Sequence, residues 1–408
     1  MTFQTRLFRA ADRLSDGLGL LQGPFDADGA IAAACRRAGV ANFPDPHIIE
    51  PLRQYLTALD AEAGLSALGR VSTSYDIRRL LDNVLRLHRE EARDPAITTQ
   101  PIDRPIIILG VPRAGTSFLH NLLAEDPRLM APRCWQMIHP WPIDPPEATD
   151  RRIALAQRAL DGFAWLAPEF RDMHPLDATS TQECTEITAH CFRSLRFDTL
   201  HPIAGYRSWL DRQGHHLAYR FHRRFLQHLQ IQQPAATTRR WVLKCPDHVF
   251  ALDAIRATYP DAHLVFVHRD PLKVLASVAK LTEVLRRPFA RAVDNAAIGR
   301  QVSTHWQIGT QAMIAEATAG PNETHIHYRQ LIADPLGTVR ALYARIDLDL
   351  TAPAQARMQT HLDERPNGGY GRNVYHFADH GLDPGDLAER FAPYLRHFEI
   401  APETPWSG

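Results

Sequence analysis

"PIIILGVPRAGTSFLHNLL", from Pro105 to Leu123, governs how the rest of the chain is read. Ile106 to Leu109 form an apolar run of the length of a buried strand, Gly110 turns the chain, and from Gly115 the apolar spacing becomes that of an amphipathic helix. A strand, a glycine-bearing turn and a helix N-terminus together aim backbone N–H groups at one point, which makes an anion cradle whatever the side chains are. The Walker A pattern places a lysine just before its Ser or Thr. Here that position is Thr116, Ser117 follows, and the nearby cation is Arg113. A tight turn that merely needs glycines is the bland alternative, and three polar donors within the same turn argue against it.

The rest of the chain repeats the strand and helix alternation. "RWVLK" at 240–244 is followed by a helical pattern after Asp247, and "HLVFV" at 263–267 by another from Pro271, with the short "THIHY" as a possible further strand. Such alternation predicts an α/β fold: a P-loop-like, mostly parallel sheet flanked by helices. Residues 1–100 carry helical periodicity without a strand, with Ile77, Leu80, Leu81, Val84 and Leu85 on one face of a helix after Ser74. Helical patterns at 151–166, 179–193 and 215–231 fall between the first two strands, as insertions on the ligand side of the sheet and natural walls for a second substrate. The division expected is a helical N-terminal region, 1–100, and an α/β domain, 101–408.

Composition excludes several classes. The 408 residues with 45% apolar content supply a core without staples, and 46 basic against 46 acidic residues leave no net field to recruit nucleic acid. Five cysteines without CxxC spacing argue against a disulfide framework or a zinc site, and so for a reduced, cytoplasmic protein. No apolar run approaches membrane-span length.

A second anion site is expected in "HRDPLKVLAS", where a strand ends at Arg269 and Asp270 caps a helix opened by Pro271. Ser277 lies seven residues past that cap, roughly 10 Å along the axis, on the flank that a long Arg side chain reaches. Both anion sites sit at carboxyl ends of strands, where open α/β sheets bind ligands. Two separated sites suggest one ligand with two phosphate groups.

At this point the chain resembles a family. "IILGVPRAGTSFLHNLLAEDP", "WVLKCPDHVFALDAI" and "YPDAHLVFVHRDPLKVLASV" look like the 5′-phosphosulfate loop, the lysine segment and the 3′-phosphate segment of sulfotransferases that use 3′-phosphoadenosine 5′-phosphosulfate (PAPS). The branch is the bacterial one that also resembles tyrosylprotein sulfotransferases, and "WQMIHPWP", "TQECTEI", "YRSWL" and "FAPYLRHFEI" extend the likeness over nearly the whole chain. The resemblance implies PAPS as co-substrate, a hydroxylated acceptor and no metal, since a sulfuryl group carries less charge than the γ-phosphoryl group that Mg²⁺ accompanies. It would place the 5′-phosphosulfate on Arg113, Ala114, Gly115, Thr116 and Ser117, and the 3′-phosphate on Arg269 and Ser277.

Transfer requires in-line attack, stabilised charge on the leaving bridging oxygen and a base for the acceptor hydroxyl. By resemblance Lys244 faces the bridging oxygen, with Arg113 as its partner. Glu183, in "DATSTQECTEITAH", matches the base of the tyrosylprotein-like branch, although Ser180 and Glu183 also have capping-box spacing. Glu186 with His190 is a competing acid/base pair, and His120 and His248 read as supports. "ERPNGGYGRNVYHF", with Arg365 and Arg372, is a loop that could close over the nucleotide. Trp135, Trp141, Phe192, Phe197, Tyr206 and Trp209 are aromatics for an acceptor pocket or for the core. An ATP-dependent small-molecule kinase on the same loop is the alternative enzyme class. Acceptor identity and oligomeric state are not legible.

Overall fold

Five strands form one wholly parallel sheet in the order β2-β3-β1-β4-β5. These are β1 (Ile106–Gly110), β2 (Leu129–Met130), β3 (Arg240–Lys244), β4 (His263–His268) and β5 (Glu323–His327). In register, Ile106 faces Val242 of β3 on one side and His263 of β4 on the other. Every residue of β1 and β4 is buried, as expected where helices cover both faces of a parallel sheet. The computed structural model describes residues 12–15, 17–18, 21, 23–143, 149–233, 239–317, 320–365 and 375–403.

The N-terminal region folds as α1 (Ala27–Ala38), α2 (Ile49–Glu62) and α3 (Ala67–Arg93). The expected face of α3, Ile77, Leu80, Leu81, Val84 and Leu85, is buried. This helix starts well before Ser74, because Ser66 is the true N-cap and its Oγ accepts from Gly69 N–H at 3.0 Å. These helices share one continuous apolar core with the sheet, from Leu52 and Leu80 through Ile107 and Phe266 to Ile400.

After β1 the chain enters α4 (Thr116–Leu123), and the first insertion is α5 (Arg152–Leu166). The helix expected over 179–193 is reduced to the five residues of α6 (Thr185–Ala189). Its first part is tied down in extended form: Gln182 N–H donates to Pro132 O at 3.0 Å and Cys184 N–H to Lys244 O at 3.1 Å. These bonds spend the amides that a helix would need. Then come α7 (His216–Ile231), α8 (Leu252–Thr258), α9 (Leu275–Arg286), α10 (Asn295–Glu316) and α11 (Pro384–His397). The helix expected from Pro271 opens with a 3₁₀ turn, Pro271–Lys273, before α9 begins. Asp270 caps that turn as anticipated, accepting from Leu272 N–H at 3.0 Å.

Candidate active site

The β1 loop has the form its glycines anticipate. Gly110 has φ of +144°, and a Cβ there would lie 2.2 Å from Val267 O on the neighbouring strand; Gly115, at φ +93°, is the N-cap of α4 and packs against the Tyr328 ring. Neither position suits a side chain. Pro112, Arg113, Gly115, Thr116 and Ser117 line a cavity of about 1010 Å³. Ala114 does not: it is fully buried beneath the loop, and its N–H donates to Val111 O at 3.3 Å. The Arg113 guanidinium donates to Met173 O at 3.0 Å, which orients it along the cavity wall.

Lys244 projects from the carboxyl end of β3 into the same loop. Its side chain is 2% exposed, and Nζ donates to Ser117 Oγ at 2.9 Å and to Glu183 Oε1 at 2.5 Å. Strand-end solvation, the ordinary role for such a lysine, is thus ruled out. The capping role weighed for Glu183 is absent as well: α6 starts at Thr185 without a side-chain cap, and Ser180 closes a turn with Asp177. Burial alone would raise the Glu183 carboxyl, but the facing Lys244 ammonium outweighs it and holds the group below its ordinary value.

Glu186 of the competing pair also lines the cavity, but both members are engaged by other partners. Glu186 pairs with Arg79 at 2.5 Å and with Arg196, and both arginines also bind Asp76, a closed set of two cations and two anions between α3 and α6. The His190 ring bonds to Glu186 O at 2.9 Å and to Asn83 at 3.0 Å, and burial pushes it down to about 4. His120 bonds to Val242 O at 3.1 Å and His248 to the Tyr219 hydroxyl, so both are packed supports.

Two groups that the sequence reading does not single out face the same space. His174, pushed down to about 4 by burial, lines the cavity with Glu183 and Arg113, whereas the buried Lys244 is not among the lining residues. Asp247, three residues past Lys244, also lines it and makes no hydrogen bond among the described residues; burial, reinforced by the Glu183 carboxylate, pushes it up to about 7. A carboxyl raised from 3.8 to about 7 keeps a proton on folding that the unfolded chain has released. Stability therefore falls as pH rises through that window, by at most about 4 kcal/mol. Asp247→Asn should melt higher than the parent at about pH 8 and lose that advantage near pH 4; a difference that does not change with pH would contradict the placement.

The second anion site is half as expected. Arg269 lines the cavity, stacks 3.8 Å over the Tyr328 ring and donates to Arg113 O at 2.8 Å, which joins the two loops. Ser277 is buried in the first turn of α9 with no hydrogen-bond partner for its Oγ, and it is not among the cavity-lining residues. An orphaned buried hydroxyl is the kind of group a bound phosphate satisfies. Arg372 and most of the Gly-rich loop lie outside the described residues.

The remaining walls are of two kinds: a polar stretch with Asp76, Arg79, Glu186 and Arg196, and an apolar one. Leu155, Leu160 and Phe163 of α5, Leu281 and Leu285 of α9, and Trp306 of α10 line the cavity away from the loop. None of the six aromatics considered for this role does so. Phe192, Phe197 and Tyr206 instead cluster around Tyr55 inside the core.

A parallel sheet carries this loop at its centre, with a strand-end lysine paired to a carboxylate beside it. The sulfotransferase family model matches residues 105–352, and the chain belongs to that family. Sulfotransferase STF1 from Mycobacterium tuberculosis H37Rv superposes with a TM-score of 0.79 at 30% identity, over 91% of this chain and 100% of that one. STF9 from Mycobacterium avium gives 0.82 at 27% identity, over 94% and 100%. The omega-hydroxy-beta-dihydromenaquinone-9 sulfotransferase Stf3 of Mycobacterium tuberculosis is 24% identical over 264 residues, 60% of this chain and 63% of its own length. The match thus spans less than two thirds of that curated relative. The fold is the P-loop-like one expected.

Proposed function

We propose that the protein transfers a sulfuryl group from PAPS to a hydroxyl of an apolar, lipid-like acceptor in the cytoplasm. The observation that carries this reading is the meeting of Lys244, Ser117 and Glu183 beside the anion loop, next to a cavity with a large apolar wall of Leu, Phe and Trp side chains. Arg113, Gly115, Thr116 and Ser117 hold the 5′-phosphosulfate, and Arg269 with Ser277 the 3′-phosphate. No metal is needed for this arrangement.

In the transfer, the acceptor oxygen forms a bond to sulfur as the bond from sulfur to the bridging oxygen breaks, leaving adenosine 3′,5′-bisphosphate. Lys244, with Arg113, faces the charge that grows on that bridging oxygen. Glu183 takes the acceptor's proton. The pairing of the two side chains gives the order: once the donor engages the Lys244 ammonium, Glu183 loses its partner and becomes a stronger base.

The acceptor class rests on two supports. A cavity of about 1010 Å³ is at the upper end of single-ligand pockets, so it has room for a bulky acceptor beside the donor. Stf3 is named for a hydroxylated menaquinone, a lipid, and an isoprenoid chain suits walls of Leu, Phe and Trp. The N-terminal region to residue 100, through Tyr55, Tyr75 and Arg79, closes the acceptor end of the domain that follows it. Five unpaired, buried thiols fit a reducing compartment.

Adenosine 3′,5′-bisphosphate should raise the melting temperature more than ADP or ATP does, and do so without Mg²⁺, because it alone loads both sites. Arg269→Ala should cost that ligand roughly 1.5–3 kcal/mol of affinity, the worth of a charge-assisted contact. Stronger, Mg-dependent protection by ATP would favour phosphoryl transfer instead.

A further inference from the structure

The guanidinium of Arg269 already has an anion on it. Glu403, just beyond α11, accepts from Arg269 Nε at 2.8 Å and from Nη2 at 3.0 Å, a bidentate contact along one edge of the fork. The Glu403 side chain is only 16% exposed. Its segment is held independently of Arg269: Glu403 N–H donates to Asp270 Oδ2 at 3.0 Å, and Arg329 donates to Pro402 O at 2.7 Å. Asp270 thus spends one oxygen on the Leu272 N–H and the other on this tail.

Two roles are open to such a carboxylate. It could fill the phosphate's place and leave when the donor arrives, or it could hold the arginine in position for the donor. Donor counting separates them. A guanidinium has five N–H groups. Glu403 takes one on Nε and one on Nη2, and Arg113 O takes one on Nη1. One N–H on each terminal nitrogen remains for a further anion. The Tyr328 ring covers one face of the guanidinium at 3.8 Å, so the group cannot tilt to that side. A tail fixed by two bonds of its own is built to stay.

We propose that Glu403 is a positioning residue for the donor: it fixes the edge of Arg269 so that the remaining N–H groups, with the unpartnered Ser277 hydroxyl, receive the 3′-phosphate. This rests on the PAPS reading above and adds the tail to it. An arginine clamped along one edge loses less freedom on binding, and its planar fork is then pre-aimed at a second oxyanion. The cost of a second negative charge nearby is offset where the cationic arginine contacts both anions.

The test is calorimetric titration of the full-length parent, Glu403→Ala and Glu403→Gln with adenosine 3′,5′-bisphosphate and with adenosine 5′-monophosphate, and a melting curve of each protein without ligand. The parent should prefer the bisphosphate. Glu403→Ala should lose that preference by about 10-fold, the low end of what a partner orienting a ligating group is worth, with monophosphate affinity unchanged; Glu403→Gln, which keeps one acceptor, should lose less. Equal losses for both nucleotides would mean that the tail is merely structural, and no loss would mean that it is idle. Tighter bisphosphate binding in the variants would make Glu403 a competing plug. Any of these three results overturns the proposal. A parent that does not prefer the bisphosphate sinks the donor reading itself, and the proposal with it.

Discussion

Glu183→Gln should slow sulfuryl transfer by roughly 10²–10⁴-fold, the usual contribution of a positioned base, while the affinity for adenosine 3′,5′-bisphosphate stays close to the parent's. The carboxylate sits 2.5 Å from Lys244 Nζ and on the cavity wall, so it reaches both the lysine and the open space of the site. Its replacement is not silent for folding, because the Lys244 ammonium, 2% exposed, loses its counter-charge. Melting temperature and single-turnover rate must therefore be read together. Glu186→Gln gives the contrast: it opens the closed set with Arg79, Arg196 and Asp76, so it should cost stability more than chemistry. A Glu183→Gln protein that transfers at nearly the parent rate would remove this residue as base.

Lys244→Ala has the second large effect. An interaction that strengthens as charge develops on the leaving oxygen lowers the rate when removed, by about 10²–10³-fold for one donor of this kind. Nucleotide affinity should be largely kept, since the loop amides, Arg113 and Arg269 remain. Breaking a buried pair costs about 3–5 kcal/mol, and Glu183, with 27% of its side chain exposed, places the expected loss toward the lower figure. Equal affinity losses and equal rates for Lys244→Ala and Arg269→Ala would contradict the division of roles.

The parts of this site that a reader of the sequence can find are those written in local spacing. "PIIILG" followed by Gly115 dictates strand, turn and helix within twenty residues, and the structure places each where the pattern does. "RWVLK" coincides with β3, and Asp270 caps as its position before Pro271 demands. What fails is long-range. β2 is two residues long, too short for any periodicity to register, and it exists because β3 offers it an edge. The segment 179–193 has helical spacing, but the pull of Pro132 and Lys244 carbonyls on its amides wins over local propensity. Glu183 and Lys244 are 61 residues apart, and Glu403 and Arg269 are 134 apart, so neither pairing has a local signature. Asp247 was within reach: a carboxyl three residues past a strand-end lysine, on the ligand side of the sheet, could have been singled out from position alone.

Metal-free transfer of a sulfuryl group from PAPS is the activity proposed for this site. Incubating the protein with radiosulfur-labelled PAPS and a panel of hydroxylated isoprenoid and fatty alcohols, in the presence of a chelator, measures this directly. Label should pass into an organic-extractable product heavier by one sulfuryl group, with adenosine 3′,5′-bisphosphate released in equal amount. Label that stays on PAPS across the panel, while Mg-ATP phosphorylates the same alcohols, would contradict the account.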